Sequence, residues 1–290
     1  MPFAPAGPND LLGRTVGERI GNATGRTVLV DNKAGAASII AADYVARSRP
    51  DGNTLLLATQ ATLAANPALY KTLPYDPVKS FKAVALLSQQ PPILVVPSTS
   101  AATSASQLID LVRRSPTAFS YASAGNGTVH HLAAELLKST ENLQMIHVPY
   151  KGSGPALMDL VVGRVQLMFV DLSSAAPFIK SGALRPLLVA GPKRMKGLPG
   201  VPTAAEAGLR SLSLSAWAVL LAPAGTPAET IDTLNRETNA AIRTLSSDDR
   251  FVKAGIELRG DLSASQVTDF IKTERPVWEQ IIRRSGATAE

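Results

Sequence analysis

The chain contains no cysteine, which excludes a disulfide scaffold, a thiolate metal site and a cysteine nucleophile. Aromatic residues make up only 5% of its 290 residues and charged residues only 18%. No apolar run approaches the roughly 18–20 residues that span a bilayer. The opening Met1-Pro2-Phe3-Ala4-Pro5 has neither a basic n-region nor an apolar h-region, so no signal peptide is expected in these residues. Charge of one sign is in mild excess, with a formal net charge of +6 and a pI near 9.6. The basic residues Arg113, Arg114, Lys193, Arg194, Lys196, Arg283 and Arg284 are scattered rather than gathered on one helix. Nucleic-acid binding calls for a clustered basic face; a weak positive field that draws small anions fits this pattern better.

What is present is alanine, leucine and valine, in a chain 45% apolar and long enough for two ordinary domains or one large one. Short β-rich runs recur: TVLVD (27–31), TLLLA (54–58), ILVVP (93–97), FSYAS (119–123), MIHVPY (145–150), VQLMFV (165–170), LRPLLVAG (184–191) and AWAVLLAP (216–223). Between them lie helical patterns. Residues 9–20 carry Leu12, Val16 and Ile20; residues 128–138 carry Val129, Leu132, Ala133 and Leu136; residues 263–284 carry Val267, Phe270, Ile271, Trp278, Ile281 and Ile282. This alternation predicts an α/β protein with parallel layers. The helix at 9–20 follows a Pro/Ala/Gly loop with no strand before it, so a first strand is expected to be missing from the fold.

Four junctions rich in small residues could hold an anion. They are Ala4-Pro5-Ala6-Gly7-Pro8-Asn9-Asp10, the stretch Ala58-Thr59-Gln60-Ala61-Thr62, Ser123-Ala124-Gly125-Asn126-Gly127-Thr128, and Tyr150-Lys151-Gly152-Ser153-Gly154. Small residues leave backbone N–H groups approachable, and a helix start offers unpaired donors with partial positive charge. Open α/β sheets bind ligands at the carboxyl ends of their strands. Taken singly, each loop also reads as a tight turn with a capped helix. GNGTVH (125–130) lacks the third glycine of a dinucleotide fingerprint.

Catalytic constellations are absent from the pattern. Of the three histidines, His147 sits inside an apolar strand, the place of a satisfied core residue. His131 lies opposite the apolar stripe of its helix and would face a cleft or water. His130 and His131 point about 100° apart and cannot chelate one metal together. There is no G-x-S-x-G elbow. Asp171 follows VQLMFV, where it could meet a ligand's hydroxyl or amino group or cap a helix over 173–181.

Together these stretches resemble the Bug-type extracytoplasmic solute receptors of tripartite tricarboxylate transporters. The resemblance runs through PFAPAGPND (2–10), VDNKAGAASIIAADYVARSRPDGNTLLL (30–57), NPALYKTLPYDPVKSF (66–81), FSYASAGNGTVHHLAAELLK (119–138) and HVPYKGSGPALMDLVVGRVQLMF (147–169). It continues through SSAAPFIKSGALRPLLVA (173–190), VPTAAEAG (201–208), SAWAVLLAPAGTP (215–227) and FIKTERPVWEQII (270–282). It implies a periplasmic-binding-protein type II fold, with lobe one at 1–97 and 223–290, lobe two at 98–222, and a ligand cleft between them. It implies a periplasmic monomer that captures a small carboxylate for membrane transporter subunits of that type, with no catalysis, no cofactor and no metal. The site residues it implies are Phe3, Ala4, Pro5, Ala6, Gly7, Asn9 and Asp10; Thr59, Gln60 and Ala61; Ser123, Ala124, Gly125, Asn126, Gly127, Thr128 and His131; and Asp171. The sequence departs from the family in three places. Ala6 stands where a glycine is usual, Asp171 lies one position beyond the usual acid, and the family's signal peptide and first strand have no counterpart. The alternatives are an α/β enzyme acting on a carboxylate and a degenerate paralogue that binds nothing.

Overall fold

All but one of the short apolar runs form strands in the computed structural model, which describes residues 1–2, 8–115, 118–150 and 152–285. The chain divides into two units. One comprises residues 1–89, 217–248 and 257–280; the other comprises 90–216, 249–256 and 281–290.

The first unit begins with α1 (Pro8–Thr24). A 3-10 turn (Ala36–Ser38) leads into α2 (Ile39–Ala46), then β1 (Leu56–Thr59), a π-type turn (Ala61–Ala65), α3 (Asn66–Leu69) and β2 (Phe81–Gln90). The second unit supplies β3 (Ile93–Pro97), α4 (Ala105–Arg114), β4 (Ser120–Ser123), α5 (Val129–Glu141), β5 (Ile146–Pro149), α6 (Ser153–Val161), β6 (Leu167–Val170), α7 (Leu172–Lys180) and β7 (Leu184–Val189). The chain then returns through β8 (Ala216–Pro223), α8 (Ala228–Thr244), α9 (Asp249–Ala254), β9 (Glu257–Leu258) and α10 (Ala264–Ser285).

The sheet of the first unit has the order β1-β8-β2-β9, and β1 pairs β8 antiparallel, as β2 does β9. The sheet of the second runs β5-β4-β6-β3-β7. Its β4 is parallel to β5 and β6, whereas β3 runs antiparallel to β6 and β7. The expected purely parallel layering is therefore corrected to mixed pairing. The continuous apolar runs of β1 and β6 are buried at every position, as strands covered on both faces must be. Ile93, Val95, Met168, Val170 and Leu157 form the centre of the second unit's core; Leu56, Leu86, Trp217, Val219 and Val267 form the first's.

The exception is TVLVD. Residues 26–31 form neither strand nor helix, and Val28 and Leu29 are exposed. A strand is stable only when its backbone groups are paired. Among the described residues the backbone pairing lies at its end, where the Met1 ammonium donates to the Asp31 carbonyl and the Lys33 amide to the Met1 carbonyl. The segment lies against α1 at Gly17, where a Cβ would come within 2.9 Å of Val28. β2 was not expected. FKAVALLSQQ is rich in helix formers, and its burial between β8 and β9 decides its state.

Candidate functional site

In the second unit, five residues, Ala124 to Thr128, link β4 to α5. Gly125 and Gly127 take positive φ values of 130° and 73°, a region that glycine enters without steric cost. The turn is then closed by side chains. Ser123 Oγ accepts from the Gly125 amide at 3.1 Å, and Thr128 Oγ1 donates to the Gly125 carbonyl at 2.8 Å. Thr128 also caps α5 by accepting from the His131 amide at 3.4 Å. The neighbouring chain joins in, with Tyr150 and Gly152 amides donating to the carbonyls of Ser123 and Ala124. The amides of Val129 and His130, in the first turn of α5, meet no acceptor among the described residues. Such open donors at a helix start form a ready anion cradle.

Beneath the loop, three rings stack. His131 and His147 lie parallel with centroids 4.1 Å apart, and the Tyr121 ring lies near-parallel to both, 4.8 Å from His147 and 6.4 Å from His131. His131 Nδ1 accepts the Gly127 amide at 3.1 Å, and His147 Nε2 bonds Ser123 Oγ at 2.7 Å. A neutral His131 therefore carries its hydrogen on Nε2. Burial lowers the pKa of both imidazoles, and for His147 the adjacent His131 adds to burial and brings it to about 4. Tyr121 donates to Glu135, which also takes the Lys138 ammonium at 2.7 Å. The expectation that His131 faces a cleft or water is corrected on the second count. His131 is buried because α5 is covered on most of its circumference, from His130 to Leu137.

The neighbouring His130 turns to β6's end, where its Nε2 lies 3.2 Å from Asp171 Oδ2. Asp171 precedes α7, yet its carboxylate makes no capping bond; its backbone carbonyl accepts from the Ser174 and Ala175 amides instead. Burial raises the Asp171 carboxyl, but the charge and hydrogen bond of His130 outweigh it and leave the pKa below the usual value. His130 Nδ1 is buried without a partner. The sequence signalled no such pair, because its members lie on different elements 41 positions apart.

Within the first unit, Asn9 and Asp10 occupy the first turn of α1. Both Asp10 oxygens are engaged, by Arg14 Nε at 2.9 Å and Asn32 Nδ2 at 2.8 Å. Phe3, Ala4, Pro5, Ala6 and Gly7 lie outside the described residues, as does Lys151. Thr59 ends β1 and its hydroxyl accepts the Ala61 amide at 3.3 Å; Gln60 Oε1 accepts the Trp217 amide at 3.2 Å. This loop abuts a stretch that carried no expected role. Ala36 and Ser38 hold left-handed backbone at φ 44° and 76°, which is costly for residues with a Cβ. Ser38 Oγ bonds Thr62 Oγ1 at 2.9 Å, Asn66 Nδ2 reaches Ser38 Oγ and Tyr75 OH, and Tyr75 OH donates to the Thr62 carbonyl at 2.7 Å. The only sequence signal for it is a run of small residues, Gly35 to Ser38, at a helix start.

Among the described residues no group of three or more His, Asp or Glu side chains is placed to hold a metal, and no helix is long and apolar enough to cross a membrane.

The sequence matches the model of a family described as the tripartite tricarboxylate transporter family receptor over residues 12–287. It is 32% identical over 288 residues to Protein BugT of Bordetella pertussis, covering 99% of this chain and 88% of that protein. Two solved structures from Rhodopseudomonas palustris resemble it. One, with adipate, has a TM-score of 0.83 and 33% identity, covering 99% of this chain and 96% of the other. The second is MatC with bound malate, with a TM-score of 0.77 and 31% identity, covering 97% and 96%.

Proposed function

The chain belongs to the receptor family of tripartite tricarboxylate transporters, and on that premise we propose that it is a periplasmic monomer that binds a small dicarboxylate and presents it to a membrane transporter. The observation that carries the reading is the β4–α5 loop. The Ser123, Ala124 and Gly125 carbonyls and the Ser123 and Thr128 hydroxyls are engaged within the second unit. Among the described residues the amides of Val129 and His130 stay open at the start of a helix of 13 residues. That arrangement offers an anion hydrogen bonds and a favourable dipole without a cationic side chain. In this reading Ser123, Ala124, Gly125, Asn126, Gly127 and Thr128 receive a carboxylate, His131 fixes the Gly127 amide, and Asp171 takes a ligand hydroxyl or amine. The similarity to proteins solved with adipate and malate supports the ligand class.

Thermal denaturation with a panel containing malate and adipate tests the proposal. A ligand at 100 times its dissociation constant adds about 2.7 kcal/mol of stability, a shift of several degrees in a chain of this size. Gly127→Val is expected to abolish the shift while far-UV circular dichroism stays native. A folded protein whose melting temperature no carboxylate moves, or a Gly127→Val variant that keeps the shift, overturns the assignment.

A further inference from the structure

A cavity within the first unit is lined by none of the residues assigned to the carboxylate loops. Its volume is about 580 Å³, within the range of about 300–1,000 Å³ typical of ligand pockets. Its walls come from the π-type turn, β2, β8, α8 and α10, and are built chiefly from Leu63, Phe81, Leu221, Ile231 and Ile271. The polar lining is dominated by cations: Lys82, Lys272 and Arg275 stand against a single acid, Asp232. Lys272 and Arg275 have partners on their own helix, Asp269 at 3.4 Å and Glu279 at 2.7 Å. Lys82 has no carboxylate partner among the described residues; its ammonium donates to the Thr226 carbonyl at 2.7 Å. A cation held by a neutral acceptor beside an apolar wall retains its full charge for an incoming anion.

We propose that this cavity binds a small amphiphile with one acidic head and an apolar tail, such as a medium-chain monocarboxylate. The head lies at Lys82 and the tail against Phe81, Ile231 and Ile271. The chemistry differs from that of the β4–α5 loop, where backbone amides rather than a lysine side chain meet the anion. Each methylene added to the tail is expected to tighten binding about three- to fourfold, the factor that follows from burying one CH₂ group.

Calorimetric titration of the full chain with hexanoate, octanoate and octylammonium reads this directly. Octanoate is expected to bind saturably and more tightly than hexanoate by roughly tenfold, with octylammonium much weaker. Thr268→Trp places a large ring in the cavity and is expected to cut octanoate affinity at least tenfold while leaving the malate or adipate shift unchanged. Should that variant fail to fold, the exposed Lys82→Glu replaces it and is expected to reverse the preference from octanoate to octylammonium. Gly127→Val is expected to retain octanoate binding, so this site stands or falls separately from the carboxylate loop. Absence of saturable octanoate binding overturns the proposal. So does equal affinity for octylammonium, or binding that Gly127→Val removes and Thr268→Trp spares, which would place octanoate in the carboxylate loop.

Discussion

The loop after β4 and the loop after β1 reach their shapes by different means. After β4, the positive φ angles fall on Gly125 and Gly127, and three side chains from α5, β5 and the turn itself tie the backbone down. After β1, the neighbouring turn places positive φ angles on Ala36 and Ser38 as well as on Gly35. The strain is held by a buried network of Ser38, Thr62, Asn66 and Tyr75. The first loop is shaped by residues that favour its conformation, the second by contacts that force it. A loop of the first kind keeps its shape when one contact is lost; a loop of the second kind should relax when its network is cut.

That difference can be broken at four points. Asn66→Leu removes the donor shared by Ser38 and Tyr75 and leaves each hydroxyl with its Thr62 partner alone, with an expected loss of about 1–2 kcal/mol in urea unfolding. A loss below about 0.5 kcal/mol would show that the network does not hold the turn. Gly125→Ala adds a Cβ 3.4 Å from the Tyr150 carbonyl at a φ that alanine avoids, and should cost about 1–2 kcal/mol. Stability equal to the parent's would mean that the loop can adopt another conformation.

Acid should weaken the second unit through its stacked imidazoles. Their folded pKa values lie below the ordinary 6.5, so the unfolded chain binds protons first as pH falls. The contribution is fully present above about pH 6.5 and is lost progressively towards the folded value of about 4 for His147. His147→Gln should flatten that part of the stability profile; an unchanged slope would assign it to carboxylates. The smallest effect is expected at Ala36→Gly. Relief of left-handed strain, about 1 kcal/mol, is largely offset by the greater freedom of the unfolded chain, leaving a gain within about 0.5 kcal/mol. A clear loss would show that the Ala36 conformation is unstrained.

Much of the fold was legible because its strands are continuous apolar runs and its helices carry clear stripes. β6 and β8 fall where LMFV and AWAVLLAP place them, and α1, α5 and α10 follow their periodicity. The failures share a cause. TVLVD has a strand's composition but, among the described residues, no strand partner along most of its length, and β2 has helix-forming residues but two strand neighbours. Pairing is a long-range property, and composition does not contain it. The same holds for the candidate site. The glycine loop was visible as a local motif, whereas the contacts that shape it join residues far apart. Ser123 meets His147 across 24 positions and His130 meets Asp171 across 41. The Ser38–Thr62–Asn66–Tyr75 network was hidden because each member is an ordinary loop or helix residue on its own.

The stacked rings also make the β4–α5 loop observable. The chain has only three histidines, and two of them lie face to face at 4.1 Å with the Tyr121 ring near-parallel to both, 4.8 Å from one and 6.4 Å from the other. Ring currents from such neighbours displace imidazole proton resonances far from their solution positions, and the nitrogen shifts report the tautomer at each ring. Because His131 holds the Gly127 amide and His147 holds Ser123, any rearrangement of the loop on ligand capture must move those signals. Two imidazole resonances thus give a spectroscopic readout of the loop without any added label.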